Sequence, residues 1–267
     1  MEKIGLIAGN RRLPIVFSEA AKKRGYHIVA IAVRGDTSFR LKKYVDKIYW
    51  INLNEFSKMP EIFKSEGITR IIMAGQISPH RLFSKEINRD KTLKELLAGI
   101  RDKKADTIFG AVAEILEGQN LELLDSTTFI KDYLPAKGVL TKRYPAFTEW
   151  EDIYFGFELA KAIALLDIGQ TVAVKHKAIV AVEALEGTDR LIRRAGKIAG
   201  RDIVVVKVSK PQQDMRFDIP VVGANTIKNL IKVRAACLAI EAEKTLFLDK
   251  EGSIRLADKN GICVVAV

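Results

Sequence analysis

The 267-residue chain has little of what most enzymes use for nucleophilic or metal chemistry: two cysteines and three histidines. Cys237 and Cys263 both sit in apolar runs, AACLAIE and GICVVAV. That placement excludes a disulfide scaffold and points to buried, reduced thiols. His27, His80 and His176 are scattered without metal-ligand spacing and with no nucleophile signature nearby. His80 and His176 read as surface groups and His27 as a strand-edge residue. Long apolar stretches are also missing: no run approaches membrane-spanning length, and MEKIGLIAGN starts a strand at once instead of a signal peptide. The expected location is the cytoplasm. The glycine-rich G-x-G-x-x-G is absent too, since no G-x-x-G follows Gly9, which argues against a nucleotide-binding oxidoreductase. There is no internal repeat and no low-complexity segment.

Hydrophobic residues at 48% and charged residues at 29% describe an ordinary globular composition. The formal charge is +11 and is shared: residues 1–134 hold 23 Lys and Arg against 17 Asp and Glu, the remainder 21 against 16. Such a field favours anionic partners. The basic residues lack clustering with exposed aromatics, so nucleic acid is not the expected partner.

The first half alternates short apolar strands (KIGLIAG, HIVAIAV, KIYWINL, TRIIMAG) with helical stretches, the first opened by Pro14. This rhythm predicts a parallel, Rossmann-like sheet over residues 1–132. Helices are expected at 91–102 and 106–117, LELLD as another strand, and a short helix capped by Thr127 or Thr128. Residues 133–150 contain two prolines, Pro135 and Pro145, and little periodicity and read as a linker. Residues 151–267 read as a separate C-terminal α/β domain. It should contain a helix at 151–166, two β-runs around a basic turn, the helix TDRLIRRAGKIAG, the strand DIVVVKVS, a helix capped by Asn225, and three closing strands.

Five motifs carry chemistry. GLIAGNRRLP is a strand, a tight turn at Gly9 and a helix start, where backbone N–H groups can hold a phosphate. A generic βα turn explains it equally well. IIMAGQISPH ends a second parallel-type strand with Gly75 and Gln76, and ligands in such sheets sit outside the carboxyl ends of strands. LLDIGQTVAV brings Asp167 and Gln170 to a helix–strand junction, which a cap and turn also explain. VEALEGTDRL ends a strand with Glu183 and Glu186 before Thr188 or Asp189 opens a helix. Richest is SKPQQDMRFDIPVVG: after Lys207 come Lys210, Gln213, Asp214, Arg216 and Asp218. Carboxylates can hold magnesium with phosphate oxygens, and Lys and Arg can neutralise the remaining phosphate charge. A surface salt-bridge loop is the competing reading.

Taken in order, GLIAG and RLP at 5–14, AGQISP at 74–79, LDIGQTVAV at 166–174, AVEALEGTD at 181–189 and KPQQDMRFDIPVVGANTI at 210–227 resemble one family. It is the UDP-2,3-diacylglucosamine pyrophosphatases of lipid A biosynthesis, LpxI type. The resemblance covers essentially the whole chain. It implies a Rossmann-like N-terminal domain and a C-terminal catalytic α/β domain with the substrate between them. It also implies magnesium-dependent cleavage of the substrate's diphosphate to UMP and 2,3-diacylglucosamine 1-phosphate (lipid X). The essential family aspartate matches Asp218, as metal ligand or as the group that orients the attacking water. Asp214 supports it, at a position where family members can carry glutamate. Lys207, Lys210 or Arg216 would balance the diphosphate and Thr188 with Asp189 would fix the glucosamine-phosphate end. Gly9, Asn10, Gly75, Gln76, Gln170 and Gln213 complete the expected substrate contacts. Asn10-Arg11-Arg12 departs from the glycine-rich run usual after IAG. A peripheral contact with the cytoplasmic face of the inner membrane and a homodimer are compatible with the resemblance. The alternatives carried forward are a Rossmann-type oxidoreductase and another nucleotide-sugar-binding protein.

Overall fold

The computed structural model describes residues 2–78, 81, 90–100, 102 and 105–267. Pro79 of the AGQISP motif, His80 and Arg101 lie outside the described residues. The chain divides into two compact units: Met1–Lys131 with Asp214–Asp218, and Asp132–Gln213 with Ile219–Val267.

The first unit is built on β1 (Lys3–Ala8), β2 (His27–Val33), β3 (Lys47–Ile51), β4 (Arg70–Ala74) and β5 (Glu122–Leu123). Their order is β3-β2-β1-β4-β5, all parallel. The parallel, Rossmann-like expectation is borne out. The strands are continuous apolar runs because helices cover both faces: β2 is buried from Ile28 to Val33. Its helices are α1 (Leu13–Lys23), with Pro14 in its first turn, α2 (Met59–Ser65), α3 (Lys91–Gly99) and α4 (Ala105–Glu117). Asp90 caps α3 by accepting from the Leu93 N–H at 2.9 Å. The core joins Phe56, Phe63, Ile71, Leu96 and Leu116 with Phe217. The short helix expected after Thr127 comes later, as one 3₁₀ turn at Lys131–Tyr133.

The second unit contains α5 (Phe147–Leu165), β7 (Thr171–Lys175), β8 (Ala178–Val182), α6 (Thr188–Ala199), β9 (Val204–Lys207), α7 (Ala224–Lys232), β11 (Cys237–Ile240), α8 (Lys250–Lys259) and β13 (Cys263–Ala266). Short β6 (Gly138–Val139) completes a sheet in the order β6-β13-β11-β9-β7-β8, and β10 (Val221–Val222) pairs separately with β12 (Leu246–Phe247). β9, β11 and β13 are parallel; β6, β7 and β8 run antiparallel to their neighbours. Side chains alternate between two cores with the strand period of two. Val204, Val206, Cys237, Ala239, Cys263 and Val265 pack with α5, while Val205, Leu238, Ile240 and Val264 pack with α6 and α7. A Cβ on Gly156 would stand 2.8 Å from methyls of Val174 and Val206, so a bare backbone lets α5 lie close on the sheet. Both cysteines are free and buried.

Three local expectations are corrected. Helix α5 starts at Phe147, because Glu149 reaches back to the Ala146 N–H at 2.8 Å, and residues 138–139 pair into the sheet. Helices α6 and α7 are capped by Gly187 and Gly223 instead of Thr188 and Asn225. Helix α8 was not foreseen, since KEGSIRLADK has few apolar residues to set a period.

Candidate active site

In the first unit the strand order reverses between β1 and β4, the position where α/β sheets receive ligands. The loops that follow are joined: the Gly9 N–H donates to the Ala74 carbonyl and the Asn10 N–H to the Gln76 carbonyl, each at 2.8 Å. Glycine is needed at both turns. A Cβ at Gly9 would meet the Gln76 backbone at 2.7 Å, and one at Gly75 (φ +84°) would meet the Asn10 carbonyl at 2.5 Å. Gly9, Asn10, Gly75 and Gln76 are thus brought together. Asn10 Nδ2 donates to Ser78 Oγ at 3.3 Å, while its buried Oδ1 has no hydrogen-bond partner among the described residues. Ser78 in turn donates through its N–H (3.1 Å) and its hydroxyl to Asp36 Oδ1, and Arg81 pairs with the other oxygen at 2.9 Å. Asp36 and Ser78 were missed by sequence reasoning. The signal available was an acid just beyond the second strand.

Asp214–Asp218 belongs to this same unit by its contacts. Phe217 explains why: it is 5% exposed and packs with its ring tilted 35° against Phe109 of α4, centroids 5.6 Å apart. Ser126 fixes the backbone beside it, with its N–H on the Met215 carbonyl (2.9 Å) and its hydroxyl on the Arg216 carbonyl (2.7 Å). Arg216 forks both oxygens of Asp214 at 2.8–3.1 Å and also pairs with Glu117 at 2.6 Å. The guanidinium holds the Asp214 carboxyl below its ordinary range, and Asp214 raises Arg216. Asp218 ends the turn in a left-handed conformation, φ 52°, uncommon for a non-glycine residue.

In the second unit the carboxyl end of β9 gathers a buried polar cluster. Lys207 Nζ, on a residue 7% exposed, donates to Thr188 Oγ1 at 2.8 Å and Thr171 Oγ1 at 3.4 Å and lies 3.8 Å from Glu183. Thr188 donates to Glu183 at 2.8 Å, so its hydroxyl serves this cluster rather than capping α6. Asp189 follows in the first turn of that helix. Gln170 is buried, with its N–H on Glu183 at 3.3 Å and its carbonyl accepting from Val208 at 2.9 Å. Lys210, 6% exposed, pairs with Asp167 at 2.6 Å, and Gln213 closes a turn back onto the Lys210 backbone. Ser209 and Lys161 both converge on Glu241 at 2.7–2.8 Å. Glu183 and Asp167 were legible as strand and helix ends. Thr171, Lys161 and Glu241 were not, because only the tertiary fold brings them to this edge.

The N-terminal domain of the LpxI family matches residues 3–133, and its C-terminal domain matches residues 136–265. The chain is 29% identical over 277 residues to the UDP-2,3-diacylglucosamine pyrophosphatase LpxI of Caulobacter vibrioides, covering 100% of this chain and 98% of that protein. Two solved structures are distantly similar. The N5-carboxyaminoimidazole ribonucleotide synthetase of Thermotoga maritima gives a TM-score of 0.26 at 15% identity, over 68% of this chain and 41% of that one. The phosphoribosylglycinamide synthetase of Anaerococcus prevotii gives 0.27 at 12%, over 76% and 44%. The chain spans less than half of either, and at these scores the likeness carries no argument.

The expected function is corrected here. Magnesium-dependent hydrolysis to UMP and lipid X, with an oxidoreductase as alternative, is not what the findings carry. The whole-chain family match removes the oxidoreductase, and the relative's name specifies a pyrophosphatase with neither a metal nor that product pair. With both of its domains matched from residue 3 to residue 265, the chain belongs to the LpxI family.

Proposed function

We propose that the chain is a UDP-2,3-diacylglucosamine pyrophosphatase, a phosphoanhydride hydrolase of lipid A biosynthesis. The match of both family domains carries this reading. The chemistry of the second unit supports it: Lys207 and Lys210 are two buried lysines on adjoining parts of one chain segment, suited to a diphosphate. Ammonium groups held by Glu183 and Asp167 are already oriented, so charge developing on phosphate oxygens in the transition state meets fixed donors. Thr188 and Asp189 stand at the N-terminus of α6, whose free N–H groups favour the sugar-phosphate end. Gln170 and Gln213 add polar contacts, and Gly9, Asn10, Gly75 and Gln76 are retained as substrate contacts.

Asp218 is the carboxylate that orients the attacking water and takes its proton as the water oxygen bonds to phosphorus and the bridging oxygen leaves. Asp214 and Arg216 act as positioning residues that hold the turn ending at Asp218. Because the substrate carries two acyl chains, the protein works at the cytoplasmic face of a membrane as a peripheral partner. No helix among the described residues is long and apolar enough to cross one.

The test is hydrolysis of UDP-2,3-diacylglucosamine with both products identified, run once with added magnesium and once with chelator. The wild-type protein should cleave the substrate, and Asp218→Ala should lower the rate at least about a hundredfold with its circular dichroism unchanged. A wild type inactive under both conditions, or a fully active Asp218→Ala protein, overturns the assignment.

A further inference from the structure

One surface of the second unit, the outer face of α6, takes no part in the hydrolytic site. Helix α6 buries Leu191, Ile192 and Ala195 against the sheet. At helical spacing this turns Arg190, Arg193, Arg194, Lys197 and Ile198 outward on one face. Arg190, Arg193, Arg194 and Lys197 line an open groove of about 390 Å³. Arg194 is committed to Glu186 at 2.6 Å. Among the described residues Arg193 donates to the Asp189 carbonyl at 3.1 Å, and no carboxylate pairs with Arg190, Arg193 or Lys197. Large apolar side chains stand exposed at both ends of the helix: Leu185 at 65% before it and Ile198 at 63% in its last turn. Beside Leu185 lies a second apolar loop with Leu165, Leu166 and Ile168 exposed by 68%, 60% and 46%. The two loops touch, since a Cβ on Gly169 would fall 2.2 Å from the Glu183 carbonyl.

We propose that this face of α6, with the loops at 165–168 and 184–186, docks the protein on an anionic lipid bilayer. The arginines and Lys197 meet headgroup phosphates, and the leucines with Ile198 enter the interface. The apolar face of α6 is committed to the sheet, so its exposed basic face supplies the attraction to an anionic surface and the apolar side chains at its two ends supply the insertion. A single-stranded nucleic acid would call for aromatic side chains to stack on, and α6 has none; the exposed leucines and Ile198 favour a lipid surface over a duplex, which the test below separates. The proposal deepens the lipid-linked reading above: the same two loops carry Gln170, Glu183 and Thr188, so docking would present the buried lysine cluster to a substrate that sits in the bilayer.

The test is partition of the full chain onto vesicles of phosphatidylcholine alone and of phosphatidylcholine with about one-third phosphatidylglycerol. Wild type should bind the anionic vesicles at least about tenfold better. The triple variant Arg190→Gln, Arg193→Gln, Lys197→Gln should lose about a hundredfold, from roughly 1 kcal/mol for each basic residue near the surface. Leu185→Ser with Ile198→Ser should also weaken binding, at least about tenfold. Equal binding to both vesicle types overturns the proposal, as do undiminished binding by either variant and displacement from vesicles by duplex DNA at equal phosphate. Hydrolysis of a micelle-dispersed substrate separates this from the enzymatic reading. The triple variant should match wild type within about twofold there, and a wild type that binds vesicles but fails to hydrolyse refutes the enzyme assignment alone.

Discussion

Replacing Glu183 by glutamine tests the buried cluster at the end of β9. The Lys207 and Glu183 side chains are 8% and 9% exposed and 3.8 Å apart. At an effective dielectric constant of about 20, that separation corresponds to an attraction of about 4 kcal/mol. Glutamine keeps one oxygen for the Thr188 hydroxyl but turns an NH2 toward Lys207 and the Gln170 N–H, so the variant loses the charge together with the 3.3 Å bond from Gln170. It leaves Lys207 buried with only the hydroxyls of Thr188 and Thr171, and stranding a buried charge in this way costs roughly 3–5 kcal/mol. We expect Glu183→Gln to destabilise the second unit by about 3 kcal/mol, a fall in Tm of roughly 6–12 °C for a domain near this size. Lys207→Met removes the other charge, and the double variant should recover at least about 2 kcal/mol relative to the sum of the singles. Urea titrations of the four proteins by circular dichroism complete the cycle. A coupling energy below about 0.5 kcal/mol would refute the reasoning, because it would mean that solvent screens the pair. Lys207→Met should also lower hydrolysis about a hundredfold, since a charged contact to phosphate is worth roughly 1.5–3 kcal/mol.

Three further outcomes follow. Gly75→Ala should destabilise the first unit by more than about 1 kcal/mol, since it combines φ +84° with a Cβ 2.5 Å from the Asn10 carbonyl; unchanged thermal melting would contradict that geometry. Phe217→Ala should cost about 3–5 kcal/mol in urea unfolding and reduce hydrolysis, because the ring anchors the turn that ends at Asp218. Arg216 holds the Asp214 carboxyl below its ordinary value, so the unfolded chain binds that proton more readily than the folded one. The stability from the pair is therefore present above roughly pH 4 and is lost as the pH falls through the lowered value. Asp214→Asn should be less stable than wild type at pH 7, the gap should narrow as the pH falls below about 4, and a gap that does not change in acid would argue against the pair.

The sequence by itself determined a good deal. Short continuous apolar strands alternating with helices specify the parallel sheet of the first unit, because such strands have no polar side to give to water. The motifs from Gly5 to Ile227 specify the family. Other features were decided only by tertiary structure. Thr188 looks like a cap in the sequence, yet the fold turns its hydroxyl onto Lys207 and Glu183, and Gly187 takes the cap. Asp214 and Asp218 look equivalent across four positions, yet only Asp214 is shown in the Arg216 fork. Asp214–Asp218 reads as part of a connector in the second half, but Phe217 buries itself in the core of the first unit. Each of these turns on which distant surface a side chain meets. Spacing along the chain encodes the faces of helices and strands, whereas the partners of those faces exist only once the chain has folded.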